Sequence, residues 1–354
     1  MPITLTALSD IAELPFDTLI DVRSPAEFAE DHIPGAINLP VLSNEERARV
    51  GTIYVQDAPF RARKVGAALV SRNAAAHLEG PLADKPGGWR PLVYCWRGGQ
   101  RSGAFASILR EIGWRADTIK GGYKGYRALV VKTLYETELR ARVVTIDGGT
   151  GTAKTRLLHE LARQGEQVID LEELAAHRGS VFGPMAEEQP SQKAFESAIA
   201  QGVSRIEPDR PLFIEAESSK IGQLLVPPTL WKAMTAAPRI EIDAPIEARA
   251  RHLVADYDDM VSDPAKLDGV LDKLIRFHGH AQVDTWRALA DAGDYLQLCR
   301  ELIEAHYDPR YARISRSDAP LLRRFALPDL SDAVLADTAT QIRSTADQAF
   351  TQTA

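Results

Sequence analysis

Residues 90–114 read "RPLVYCWRGGQRSGAFASILREIGW": an apolar run ending at Cys95, a glycine-rich turn, and an amphipathic stretch leaving it near Ser102. A short β-rich run followed at once by a helical pattern is the strand-to-helix turn that borders a parallel sheet. The thiol sits on that turn. Upstream, "TLIDV" (18–22) and "GAINLP" (35–40) read as further strands, and "SPAEFAEDH" (24–32) as a capped helix with Pro25 in its first turn. Residues 1–125 are therefore expected to form an α/β domain with a parallel sheet.

The same alternation restarts downstream. "ARVVTID" (141–147) reads as a strand, "GGTGTAKT" (148–155) as a loop, and "KTRLLHELARQG" (154–165) as a helix with Leu157, Leu158 and Leu161 on one face. A phosphate-binding P-loop needs backbone N–H groups converging on phosphate oxygens, a lysine for the terminal phosphate, and a Ser/Thr opening the helix. Gly148, Gly149, Thr150, Gly151, Thr152, Ala153, Lys154 and Thr155 supply these parts in order. Ala153 stands where the pattern has its second glycine, which favours a diphosphate ligand over hydrolysis of a nucleotide. Glu215 and Glu217, ending the apolar run "PLFIEAE", join Thr155 as candidates to hold Mg2+. Residues 126–140 are expected to be a helical connector with Leu129, Val130, Leu134 and Leu139 on one face. Residues 141–320 should form a P-loop NTPase-like α/β domain, helical from about Tyr257. The Thr/Ala-rich residues 321–354 should be a fraying tail.

Only two cysteines occur, about two hundred positions apart, so no disulfide framework exists and both read as reduced thiols. The start lacks a basic and apolar leader, and no run is long enough to span a membrane, so a cytoplasmic location is expected. Thiolate formation is favoured at a helix N-terminus beside cations, and Arg97 and Arg101 flank the Gly98–Gly99 pair. Such a cradle suits a thiolate, a persulfide, or an oxyanion attacked by the thiolate. The Cys-x5-Arg spacing does not separate phosphoryl from chalcogen transfer. Cys299, in "DYLQLCRELIEAHY", shares a helical face with Leu296, Leu302 and Ile303 and reads as structural. The net charge of −7 excludes a surface that is basic throughout. Positive charge instead gathers locally in "RARK" (61–64), "KGGYKGYR" (120–127) and "DPRYARISR" (308–316), beside aromatics in the last two, as at RNA-contacting surfaces.

"DVRSPAEFAEDHIPGAINLP" (21–40) followed by the cysteine loop resembles a rhodanese domain, which carries sulfur on the loop cysteine. The succession "CWRGGQRS", "GGYKGYR", "GGTGTAKT", "EAESSKIG" resembles the tRNA 2-selenouridine synthase family over 18–316. That resemblance implies modification of wobble 5-substituted 2-thiouridine in the tRNAs for lysine, glutamate and glutamine. It implies S-geranylation by geranyl diphosphate, then replacement of the S-geranyl group by selenium from selenophosphate, with selenophosphate synthetase as the donor's source. Cys95, Arg97 and Arg101 would handle selenophosphate, and the 148–155 loop the diphosphate. Lys120, Tyr123, Lys124, Tyr126, Arg127, Arg310 and Arg313 are the candidates to contact tRNA. The alternatives are a rhodanese-type sulfurtransferase or phosphatase acting on a small molecule, and a non-catalytic tRNA-binding protein.

Overall fold

A computed structural model describes residues 2–183, 185, 187–314 and 319–351. Its chain divides into two units: Met1–Glu138 with Pro190–Arg205, and Leu139–Gln189 with Ile206–Ala354.

In the first unit, β1 (Thr18–Asp21), β2 (Ile37–Asn38), β3 (Pro91–Tyr94) and β4 (Asp117–Thr118) form a parallel sheet in the order β2-β1-β3-β4. All four residues of β3 are buried, which is why it reads as a continuous apolar run rather than an alternating one. Ile20 and Val93 pack with Phe105 and Leu109 of the helix Gln100–Ile112 and with Leu69 and Val70 of the helix Pro59–Glu79. A second long helix, Asn44–Gln56, precedes the latter.

The expected connector is a working part of this unit. The helix Gly122–Val131 runs on through a π-helical turn, Lys132–Glu136, and buries Tyr123, Tyr126, Val130 and Leu134. The stripe therefore begins before Leu129, and it is covered by the helix Gln192–Val203, which returns to this unit from the downstream sequence. Ser197 and Tyr123 both donate to Asp31, at 2.9 and 2.7 Å, and Arg127 and Tyr135 both bond Glu196.

In the second unit, β5 (Arg142–Gly148), β6 (Gln167–Ile169) and β7 (Pro211–Glu215) are followed by a small hairpin, β8 (Lys220–Ile221) and β9 (Leu224–Leu225). The strands β10 (Arg239–Asp243) and β11 (Leu321–Ala326) complete a parallel sheet in the order β11-β10-β5-β7-β6. Helices between β10 and β11 build their own core around Trp286, Leu271, Leu298 and Leu302. Residues 321–351 are not a fraying tail, because β11 extends the sheet edge and Asp332–Thr351 is a helix of 20 residues. Its Leu335, Ala339, Ile342 and Ala346 are spaced by four, three and four, bury completely, and pack with Leu157, Leu158 and Leu161. Among the described residues, no helix is long and apolar enough to cross a membrane.

Candidate functional site

Strand β3 delivers Cys95 to the turn, and the helix Gln100–Ile112 starts five residues later with Gly99 at its N-cap. The turn is possible only because two glycines meet there. A Cβ on Gly98 (φ +64°) would lie 2.2 Å from the Ile119 carbonyl oxygen, and one on Gly122 (φ +54°) would lie 2.1 Å from the Cys95 carbonyl oxygen. Tyr123 and Lys124 donate their N–H groups to the carbonyls of Cys95 and Trp96, both at 2.9 Å. The "GGYKGYR" segment thus braces the cysteine loop.

Burial alone would raise the Cys95 thiol. The Ser102 hydroxyl, 3.2 Å from Sγ, together with the Ser102 N–H, the Arg101 charge and the Gly99 N–H, outweighs it and brings the pKa below its ordinary value. Arg101 is anchored by Glu27 at 2.7 Å, and this pairing holds the Glu27 carboxyl at about 2 against the upward push of its own burial. Arg97 is exposed. Cys299 has no such neighbours, and burial pushes its thiol up to about 12. With iodoacetamide, Cys95 is therefore expected to gain reactivity below pH 8 while Cys299 reacts only after unfolding. Peptide mapping of the alkylated protein checks this; equal labelling of both thiols in the native state would refute it.

The structure corrects three of the residues expected at an RNA surface. Tyr123 is 2% exposed and Tyr126 is fully buried, so neither faces solvent, and the partly exposed Arg127 has its guanidinium paired with Glu196. They lie on the helix face that Gln192–Val203 covers. Lys120, Lys124 and Arg310 are exposed, the last with its guanidinium 4.4 Å over the Phe277 ring. The Arg313 side chain lies outside the described residues. Trp96, which the sequence reading passed over, is half-buried beside the thiol, with its ring centroid 5.2 Å from that of Tyr123.

The second glycine loop joins β5 to the helix Lys154–Arg163. Ala153 adopts the left-handed conformation (φ +62°, ψ +34°). That explains why a P-loop has glycine here, and alanine costs about 1–2 kcal/mol in this conformation. Lys154 Nζ donates to the Gly148 carbonyl at 2.8 Å, and Thr155 Oγ1 to Glu172 at 3.3 Å. The loop residues 150–155 line one cleft with Glu172, Arg178, Glu217 and His252. Burial pushes the Glu172 carboxyl well up, the neighbouring Glu217 adds to this, and the Lys154 charge opposes it. Burial also lowers the His252 imidazole.

Of the two carboxylates read from the sequence, only Glu217 reaches the cleft. Glu215 is 1% exposed and accepts the Glu172 N–H at 2.8 Å, holding Glu172 toward Thr155 from below. Arg178 is a further cleft residue the sequence did not reveal. One of its Nη atoms donates to Asp259 at 2.9 Å, and the other is buried without a partner among the described residues. From behind, Arg249 donates to the Thr150 carbonyl at 2.9 Å and pairs with Asp308 at 2.6 Å, while the Tyr311 hydroxyl donates to Asp147 at 2.7 Å. Part of the "DPRYARISR" segment therefore stiffens the loop.

A thiol loop on one parallel sheet and a P-loop on another define a rhodanese-like domain joined to an AAA-type domain. Residues 4–129 match the rhodanese-like domain family, and residues 141–279 match the family described as the tRNA 2-selenouridine synthase AAA domain. Three curated proteins named tRNA 2-selenouridine synthase are similar to the chain. The one from Nitrosomonas europaea is 38% identical over 72% of this chain and 66% of its own length. The one from Bdellovibrio bacteriovorus is 37% identical over 68% and 64%, and the one from Shewanella denitrificans 32% identical over 83% and 87%. The chain belongs to the tRNA 2-selenouridine synthase family. It spans just under two thirds of the length of the first two of these relatives.

Proposed function

We propose that this chain is a cytoplasmic tRNA-modifying transferase. It would convert wobble 5-substituted 2-thiouridine to 2-selenouridine in the tRNAs for lysine, glutamate and glutamine, with selenophosphate synthetase supplying the selenium donor. The observation that carries the reading is a pairing within one chain. A cysteine with a lowered pKa sits at a helix N-terminus, and a P-loop lysine and threonine share a cleft with the carboxylates of Glu172 and Glu217.

In the first half-reaction the thiouridine sulfur attacks the terminal carbon of geranyl diphosphate. An S–C bond forms, the C–O bond breaks, diphosphate leaves with the electron pair, and the base loses its N3 proton. Negative charge grows on the leaving group, and Lys154, the loop N–H groups and the open Nη of Arg178 are the donors suited to receive it. The oxygen set of Thr155, Glu172 and Glu217 fits Mg2+, since repulsion between the two carboxylates is relieved by a divalent cation. When bound, the ion would neutralise diphosphate charge. In the second half-reaction the selenium of selenophosphate bonds to C2 of the base, the C2–S bond breaks and geranylthiol leaves with a proton; water then attacks phosphorus, the Se–P bond breaks, phosphate leaves, and selenium stays on C2. Cys95, with Arg97 and Arg101, would bind the selenophosphate anion, and Trp96 would stack on the target base.

The test is nucleoside mass spectrometry after incubation of thiolated tRNA with the purified protein, geranyl diphosphate and selenophosphate. S-geranyl nucleoside followed by selenonucleoside is expected. Unchanged thiouridine from a protein that still transfers sulfur from thiosulfate to cyanide would overturn the reading.

With the tyrosines buried, Lys120 and Lys124, beside the cysteine loop, are the first cations assigned to tRNA phosphates. The Lys120→Ala, Lys124→Ala double variant should bind tRNA more weakly, with a log–log salt slope shallower by roughly one to two. An unchanged slope in filter binding would move the contact toward Arg310.

A further inference from the structure

Beside the cysteine loop lies a groove that neither half-reaction uses as described. It measures about 710 Å3, within the range of about 300–1,000 Å3 common for small-molecule sites. Its walls come from the helices Asn44–Gln56 and Pro59–Glu79, and its end from the first turn of Gln100–Ile112. Leu42 and Val70 form the floor and Val50 is half-buried, while Tyr54 and Val55 are 56% and 83% exposed along the lip. Arg47 and Arg63 stand on the rim, and Arg101 closes the end next to Cys95.

Two interior helix positions facing this groove are glycine, Gly51 and Gly66, where alanine would favour the helix. Packing does not demand either. A Cβ on Gly66 would meet only Val50 methyl groups, at 3.6 and 3.9 Å, and one on Gly51 only the mobile end of Arg47 at 3.0 Å. What both glycines do is keep the groove wide.

We infer that this groove is a binding site for an isoprenoid-type hydrocarbon chain, lying along the two helices with its head at Arg101 and Cys95. Apolar walls take the chain, and the arginines suit the anionic selenium donor and RNA phosphate gathered at its head. The identity of the chain rests on the function proposed above, in which it is the geranyl group on the wobble sulfur. The groove holds that chain while selenium displaces the sulfur to which it is attached. The P-loop cleft then serves the diphosphate, and this groove serves the product of alkylation.

The probe is a dansyl-labelled S-geranyl thioether that carries no phosphate. Wild-type protein should bind it, and Ala67→Trp, at an exposed groove position, and Val55→Glu should each weaken binding at least tenfold with unchanged melting temperature. Lys154→Ala should bind it as the wild type does. In the full reaction the two groove variants should accumulate S-geranyl nucleoside and form less selenonucleoside, with a raised KM for geranylated tRNA. Equal binding by wild type and both groove variants would overturn the inference. So would loss of the probe in Lys154→Ala, or a wild-type dimer in sedimentation that Val55→Glu dissociates. If probe binding depends on the groove but no geranylated nucleoside ever forms, the site stands and the proposed reaction sequence falls.

Discussion

Replacing Cys95 with serine is expected to remove selenium incorporation, by on the order of a thousandfold or more, while leaving S-geranylation of thiolated tRNA within a few-fold of wild type. The serine hydroxyl keeps the size of the group and the Ser102 contact, but it does not ionise near neutral pH. The loop's N–H groups and Arg101 would then surround a neutral oxygen in place of a thiolate. Accumulation of S-geranyl nucleoside in the variant is the diagnostic result. If the geranylated nucleoside also disappears from a protein that still melts normally, the two half-reactions are not divided between the two loops. The thiol's lowered pKa adds a sign to the pH dependence. A group depressed below its ordinary value keeps its thiolate to lower pH, so selenium transfer should fall away only as pH drops through that depressed value.

The second large effect belongs to Lys154. Its ammonium lies over the loop, bonded to Gly148, and shares a cleft with Thr155, Glu172 and Arg178. Lys154→Ala should slow geranylation by on the order of a hundredfold, the scale of one well-placed donor to a developing anion, or about 3 kcal/mol. Geranyl diphosphate should raise the melting temperature of the wild type, and that protection should vanish in the variant. Selenium transfer onto tRNA already S-geranylated should survive. A requirement for ATP or GTP hydrolysis during turnover would contradict the assignment of this loop to a leaving diphosphate.

Both loops were legible because their chemistry is contiguous. A strand, a glycine turn and a helix N-terminus lie within about a dozen residues each, and local spacing alone fixes which atoms converge. The braces were not legible. Arg249 reaches Thr150 across 99 positions and Tyr311 reaches Asp147 across 164, and no local pattern marks either residue. Glu172 and Arg178 enter the cleft from the segment after β6, where short helices and turns carry no strong periodicity. Tyr123 and Tyr126 show the opposite failure. Their place among basic residues suggested an RNA surface, but a single chain does not announce which helix face another helix will cover. The C-terminal helix was missed because its stripe is half alanine, and the Thr-rich composition concealed a regular spacing.

The helix Gln192–Val203 has a consequence for how the molecule is made. It completes the first unit with Glu196 and Ser197, yet it is encoded after β5 and β6 of the second. At synthesis rates of about 5–20 residues per second, the ribosome needs roughly 3 to 13 seconds to pass from residue 138 to residue 205. Through that interval Asp31 lacks the Ser197 hydroxyl and Arg127 lacks the Glu196 carboxylate that hold them in the finished protein. The cysteine-bearing half therefore does not mature ahead of its neighbour on the nascent chain. The P-loop strand has already left the ribosome before the thiol loop's own unit can close.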